Sequence, residues 1–281
     1  QVDVTVGDIV SATGTVSVTA TTGNILDADP LLAGPADDAD IDVTANKLRL
    51  FAGTGVGQNT NHLETTVGTV SARATSGGIY LRETDALIVD DVGLSVNRVG
   101  SDGTTGTGSS TDALQSDVRT TAGNGNIVIR SNGGTITLND GTATADDTGV
   151  SANGTGNVLL EAIGAGTDVV ANVDVASGSG NVSVLGARDV KFTGTADILT
   201  TSTAAGSGSI DVMAGSGSVT QSATSLFQTT GATGTIRVLG QVDVTVGDIV
   251  SATGTVSVTA TTGNILDADP LLAGPADDAD I

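Results

Sequence analysis

The residues of this chain that are best able to do chemistry are aspartates, and many of them lie close together in the sequence. One segment holds six of them: Asp27, Asp29, Asp37, Asp38, Asp40 and Asp42. Two further pairs are Asp90-Asp91 and Asp146-Asp147. Because calcium is bound by carboxylates and loop carbonyls, the six aspartates are predicted calcium ligands. The chain has neither EF-hand spacing nor the nonapeptide of calcium-binding β-rolls, so the alternative is solvated turn residues that keep strand edges from aggregating.

Other reactive residue types are too few for a familiar catalytic arrangement. His62 is the only histidine and cysteine is absent, so a zinc site or a nucleophile–histidine pair would lack partners. We interpret His62 as a loop residue. Carboxylate pairs could serve a polysaccharide lyase or hydrolase, but such sites usually add basic or aromatic residues, which are scarce here. The sequence therefore predicts a protein that is not an enzyme, with no cofactor other than calcium.

The charge balance restricts the partners. The formal net charge is −22, with 10 Lys and Arg against 32 Asp and Glu. Nucleic acid is excluded as a partner because its binding needs a basic face, and an anionic bilayer would repel this surface. No apolar run approaches the roughly 18 residues that a membrane-spanning helix needs. We expect neither nucleic-acid binding nor membrane insertion.

A long internal repeat defines the organisation of the chain. Residues 1–41 recur without change at 241–281, at an offset of 240 residues. Identity over this length indicates a tandem array. We interpret residues 1–240 as one full unit and 241–281 as the start of the next identical unit.

A shorter pattern within the unit predicts strands. The pattern is Gly-x-(Ile/Val)-x-aliphatic, and it occurs at 14–18, 68–72, 125–129, 156–160, 180–184, 208–212 and 234–238. Apolar residues two apart indicate a strand with one buried face, and the preceding glycine suits a crowded corner. From Gly156 onward the anchors recur every 20 to 28 residues, which is room for about three short strands. Aromatic residues make up only 1% of the chain, which favours thin aliphatic layers over a globular core.

These observations predict an all-β fold, a single-stranded right-handed parallel β-helix (β-solenoid) with about nine turns per 240-residue repeat. The structural alternative is a chain of immunoglobulin-like sandwiches. Alternate strand residues should be buried in one tube, and Ser17, Ser71, Ser183, Asp211 and Arg237 should face outward. The residues predicted to be buried are Val16, Val18, Val70, Ile79, Leu81, Ile127, Ile129, Ile136, Leu138, Val182, Val184, Ile210, Val212, Ile236 and Val238. Identical sequences should also occupy equivalent places, with Val16 and Val256 one above the other.

Three segments break the strand pattern and are predicted to leave the coil. They are residues 27–40, 100–122 and 139–156. In the first, Leu31 and Leu32 lie between two prolines and are candidate lateral contacts with another copy of the chain.

One block of the sequence resembles a known family. It comprises Gly53-Thr54-Gly55-Val56-Gly57, the run 61–72, and Thr75-Ser76-Gly77-Gly78-Ile79-Tyr80-Leu81. This block is similar to the repeats of giant filamentous-haemagglutinin-like surface proteins of bacteria. The resemblance implies a secreted, right-handed β-helical shaft at the bacterial cell surface, used for adhesion or surface structure.

Two functions are expected from the sequence and the resemblance together. One is the structural shaft of an extracellular or cell-surface filament, whose partners are copies of itself or neighbouring repeats. The other is the stalk of a giant adhesin that presents a distant binding tip. If Leu31 and Leu32 are lateral contacts, the filament is favoured; if they cover the core locally, the stalk is favoured.

Overall fold

The computed structural model describes residues 2–29, 40–204, 206–231 and 233–269. Within these ranges the chain forms strands and no helix. The strands are β1 (Val4–Val6), β2 (Ile9–Ala20), β3 (Ile25–Asp27), β4 (Val43–Ala52), β5 (Leu63–Ala74), β6 (Ile79–Glu83), β7 (Leu87–Val89), β8 (Val92–Val99), β9 (Thr105–Gln115), β10 (Val118–Thr120), β11 (Ile127–Ser131), β12 (Ile136–Leu138), β13 (Thr148–Ala152), β14 (Val158–Ala162), β15 (Val169–Ala171), β16 (Asp174–Ser177), β17 (Val182–Gly186), β18 (Val190–Phe192), β19 (Ile198–Ser202), β20 (Ile210–Ala214), β21 (Val219–Thr220), β22 (Leu226–Gly231), β23 (Ile236–Gly240), β24 (Val244–Val246), β25 (Asp248–Ser251), β26 (Val256–Ala260) and β27 (Ile265–Asp267).

The strands wind into one coil. From β10 to β24, each strand pairs in parallel with the strand three places later in the chain. Three strands therefore make one turn, and each occupies one of three faces. Short parallel strands with this pairing confirm the predicted parallel β-solenoid and exclude a chain of antiparallel sandwiches.

A single column of branched aliphatic residues follows the coil, with one member in each turn. Its members, in order of pairing, are Val4, Ile25, Val56, Ile79, Ile127, Val158, Val182, Ile210, Ile236 and Val256. Nine pairing steps join Val4 to Val256, a span of 252 residues, so a 240-residue unit contains eight turns and part of a ninth, slightly fewer than the nine predicted. All fifteen strand residues predicted to be buried are buried, so the predicted inward register is confirmed.

The corners explain the Gly-Asn steps that precede several strands. The Asn126 side chain accepts a hydrogen bond from the Asn157 backbone N–H in the next turn (2.9 Å). The Asn157 side chain accepts one from Asn181 (2.8 Å), and Asn181 accepts one from Ser209 (3.0 Å). Polar corner side chains thus satisfy backbone donors that the strands leave unpaired.

Both copies of the repeat keep the pairing of their first strands, Val4 with Ile25 and Val244 with Ile265, but they lie on different faces of the coil, so the predicted stacking of Val16 and Val256 is wrong. Val16 pairs with Leu48, whereas Val256 pairs with Ile236 in the aliphatic column. The first copy runs through residues 9–20 as the single strand β2, but the second copy bends between β25 and β26. The neighbouring turns differ as well, because the 12-residue β2 lies beside the 10-residue β4, whereas β26 lies beside β23, which has 5 residues.

An antiparallel hairpin formed by β8 and β9 leaves the coil where the sequence predicts an excursion. Its turn carries Gly103 at a φ of 79°, and the Asp102 carboxylate accepts a hydrogen bond from the Thr104 backbone N–H (3.1 Å). The hairpin spans residues 92–115 rather than 100–122, because β10 belongs to the coil. The third predicted excursion is likewise shorter than 139–156, since β13 is a coil strand.

The hairpin covers part of the outer face of β4 and β5. Gln115 Nε2 donates to Ser71 Oγ (2.9 Å) and to the Leu50 carbonyl (3.0 Å), and Arg49 Nε donates to the Ala113 carbonyl (3.1 Å). Ser71 is fully buried as a result, so the prediction that it is exposed is wrong. The other four predicted outward residues are partly or fully exposed. Leu31 and Leu32 lie outside the described residues.

Candidate metal centre

Three carboxylates meet at the start of the coil. Asp27 ends β3, Asp42 immediately precedes β4, and Glu64 is the second residue of β5. One carboxylate oxygen from each lies within 4.8 Å of the other two. The pairing of Val43 with Thr65 places Asp42 beside Glu64, and the Glu64 backbone N–H donates to Asp42 Oδ2 (2.8 Å). The parallel register of two strands therefore brings together acids that lie 22 residues apart in sequence.

Burial makes this group electrostatically unusual. Asp42 and Glu64 are each only 2% exposed, and Asp27 is partly buried. Burial, together with the carboxylates of Asp27 and Asp29, raises the pKa of Asp42 to about 8. A cation at this position would relieve the repulsion among the three acids.

Asn61 adds a neutral side chain to the group. Its Nδ2 donates to Asp27 Oδ2 (2.6 Å) and to the Asp29 carbonyl (3.4 Å). Two backbone hydrogen bonds between Gln58 and Asn61 close the turn that holds the side chain there. Asn61 is 9% exposed, and its Oδ1 is buried without a hydrogen-bond partner. A buried acceptor of this kind is costly unless a ligand or donor reaches it.

The structure assembles part of the predicted ligand set. Asp27 and Asp42 come together, and Asp29 lies beside them with its N–H bonded to Asp27 Oδ1 (2.7 Å). Asp40 is not in the group of three, and Asp37 and Asp38 lie outside the described residues. Glu64 was not among the predicted ligands because all of those ligands lie in the aspartate-rich segment 27–42. The available signal was Glu64 itself, the one acidic residue in the strand Leu63–Ala74.

His62 is a loop residue, as predicted, but it is not solvated. It directly precedes β5 and is 8% exposed. Its ring stacks on Tyr80, with the centroids 6.0 Å apart and the planes at 10°. The only two residues of these ring types are thus a packed pair.

The other acidic pairs hold turns, which was the alternative interpretation of the clusters. Asp91 Oδ2 accepts hydrogen bonds from the Thr142 N–H (2.8 Å) and hydroxyl (2.5 Å). Burial would raise the pKa of Asp91, but these bonds outweigh it and hold the pKa below its usual range. Asp146 pairs with Arg119 (2.8 Å), and Asp147 accepts from the Thr195 hydroxyl (2.8 Å).

Carboxylates at other corners join successive turns. Asp174 accepts the Asp197 N–H (2.8 Å), and Asp197 accepts the Leu226 N–H (2.7 Å). On another corner, Asp189 accepts the Ser218 N–H and Asp243 accepts the Asn264 N–H, both at 2.8 Å. Much of the acidity of the chain therefore serves the hydrogen bonding between turns.

Asp117 is a buried acid with few hydrogen-bond donors around it, and its raised pKa should make the stability of the protein depend on pH. It is fully buried, and burial raises its pKa from 3.8 to about 7, while Ser116 and Arg119 only partly offset this. Between about pH 4 and pH 7, Asp117 is therefore protonated in the folded state and ionised in the unfolded chain. We expect the free energy of unfolding to rise as pH falls from 8 to 5, with Asp117 contributing on the order of 2 kcal/mol.

The variant Asp117→Asn tests this expectation in denaturant titrations at pH 5 and pH 8. Asn tolerates the φ of 67° at this position and carries no charge to desolvate. It should be more stable than the wild type at pH 8, with a smaller difference between the two pH values. An unchanged pH dependence in the variant would contradict the assignment to Asp117.

No known protein family, curated protein or solved structure matches this chain. Among the described residues, no helix is long and apolar enough to cross a membrane.

Proposed function

We propose that the chain is a segment of a structural shaft in an extracellular filament on a bacterial cell surface, built from tandem solenoid repeats. The observation that carries the proposal is the unbroken aliphatic column from Val4 to Val256, which has one member in every turn. A coil with such a column has a continuous core, and its length is set by the number of turns alone. The resemblance of residues 53–83 to haemagglutinin-like repeats supports the location and the source.

The arrangement suits extension by repetition. Each turn pairs only with the turns before and after it, so the coil can lengthen by the addition of turns at its end. The net charge of −22 and the turn-holding carboxylates keep the outer surface hydrated. Copies of the same repeat are the proposed partners, and neither nucleic acid nor a bilayer interior is proposed.

Chains of one, two and four repeat units test the proposal by negative-stain imaging and small-angle scattering. With strands about 4.8 Å apart, eight turns and part of a ninth should add roughly 40 Å of length per unit at constant cross-section. Growth in cross-section instead of length would contradict the shaft. In native material, bundled ordered filaments would support the filament, whereas single thin stalks would favour the adhesin stalk.

A further inference from the structure

We propose that Asp27, Asp42 and Glu64 bind one divalent cation, and that calcium is the preferred ion. This inference concerns the site alone and does not depend on the shaft function.

The spacing of the three carboxylates fits a shared ion. Calcium binds oxygen at about 2.3 to 2.6 Å, so two oxygens on the same ion are at most about 5 Å apart. The three oxygens here lie within 4.8 Å of one another. Each acid comes from a different segment, and small rotations of the side chains can place all three oxygens around one ion.

The buried amide of Asn61 is an independent indication of a ligand. Its side chain already contacts Asp27, and its Oδ1 is buried without a hydrogen-bond partner. Rotation of the amide by half a turn would exchange Nδ2 for Oδ1 at the carboxylate group. In the absence of a cation that rotation brings two acceptors together, but with a cation it adds a fourth oxygen ligand.

The ligand chemistry favours calcium over other common ions. The group offers carboxylate oxygens from three acids, an amide oxygen, and the Asp29 carbonyl 3.4 Å from the Asn61 amide. A mixed set of carboxylates, amide and backbone carbonyls at an irregular corner suits the flexible coordination of calcium. Magnesium demands near-octahedral geometry at shorter distances, and zinc prefers nitrogen and sulfur ligands.

The position of the site explains what the ion would do. Asp27 is the last residue of β3, and Asp42 directly precedes β4. Glu64 belongs to the following turn. One ion would join the end of β3 and the start of β4 to β5 in the neighbouring turn.

Calcium titration of the 281-residue chain tests the proposal, after treatment with a chelator and in buffer of fixed ionic strength. Calorimetry should detect one calcium ion per chain with a defined affinity. At about 100 times the dissociation constant, the melting temperature should rise by about 5 to 10 °C. Magnesium at the same concentration should give a smaller shift, and sodium chloride of equal ionic strength should give none.

The variants Asp42→Asn and Glu64→Gln should each lose the calcium-dependent rise while keeping the β-type circular dichroism. Without calcium each should be at least as stable as the wild type, because repulsion among buried acids is relieved. Glu161→Gln is the matched control: it removes one charge from the outer face of a remote turn, where Glu161 pairs with Arg130 (2.7 Å). It should keep the full response.

Three results would overturn the proposal. They are the absence of binding heat and of a melting shift in the wild type, an equal response in Asp42→Asn and Glu64→Gln, and an equal response to sodium chloride. The last would show that the acidic surface is merely screened. Loss of stability without calcium in both variants, together with no calcium response in the wild type, would show that the acids have a purely structural role.

Discussion

Gly156→Ala is expected to lower the free energy of unfolding by about 3 kcal/mol. Gly156 begins the corner before β14, and a Cβ atom there would overlap the carbonyl oxygen of Gly125 in the preceding turn. The same relation repeats along this corner, where Gly125 lies against Gly77 and Gly180 lies against Gly156. Because the obstructing atoms are backbone, the collision cannot be relieved by a side-chain rotation. The turns would have to move apart, and the strand pairing on both sides would weaken.

Denaturant titration followed by circular dichroism measures this effect. Gly7→Ala is the control, since a Cβ at Gly7 would meet only the Ala28 methyl at an ordinary 3.7 Å. That variant should keep or slightly raise stability, because alanine restricts the unfolded chain. Equal effects of the two substitutions would show that the corner glycines are not required for close approach of the turns.

Phe227→Ala is expected to cost about 4 kcal/mol. Phe227 and Phe192 are the largest fully buried side chains in the described part of the chain, in a core otherwise made of aliphatic residues. Their rings meet edge to face, with the centroids 4.7 Å apart and the planes at 75°. Removing one ring leaves a cavity that short, fixed strands cannot close. Val250→Ala, at a 42% exposed position, should change stability by less than about 0.5 kcal/mol.

A double-mutant cycle separates ring contact from simple burial. Phe192→Leu and Phe227→Leu keep most of the buried volume and remove the aromatic pair. The two substitutions should show a coupling of about 1 kcal/mol. If the effects of the two substitutions on the free energy of unfolding are strictly additive, the rings stabilise the fold only through the volume that they bury.

The inward-facing residues could be predicted from the sequence because strand alternation is a local property. In Gly180-Asn181-Val182-Ser183-Val184 the apolar residues are two apart, the glycine marks the corner, and no distant residue is needed to orient them. The number of turns followed from the spacing of such anchors for the same reason. Parallel pairing then determines how successive turns stack, since each corner has to leave space for the backbone of the next turn.

The outer contacts and the metal centre depend on which segments pack against each other. The alternation of apolar and polar residues along a strand does not predict this. Ser71 has the same local pattern as Ser183, yet Gln115 from the hairpin covers it. Glu64 joins Asp42 only because β4 and β5 pair in one register. The second copy of the repeat shows most clearly that local sequence is not sufficient. Identical residues form one strand beside β4 and two strands beside β22 and β23.

The unequal size of the turns has a consequence when the chain is pulled by its ends. Along the aliphatic column a turn contains between 20 residues, from Ile236 to Val256, and 48 residues, from Ile79 to Ile127. Tension along the axis loads the hydrogen bonds of one terminal turn at a time, so the coil should peel instead of shearing as a whole. At about 3.5 Å per extended residue, each released turn would add roughly 70 to 170 Å of contour length. A coil of this kind should therefore lengthen in steps of graded size as it is pulled.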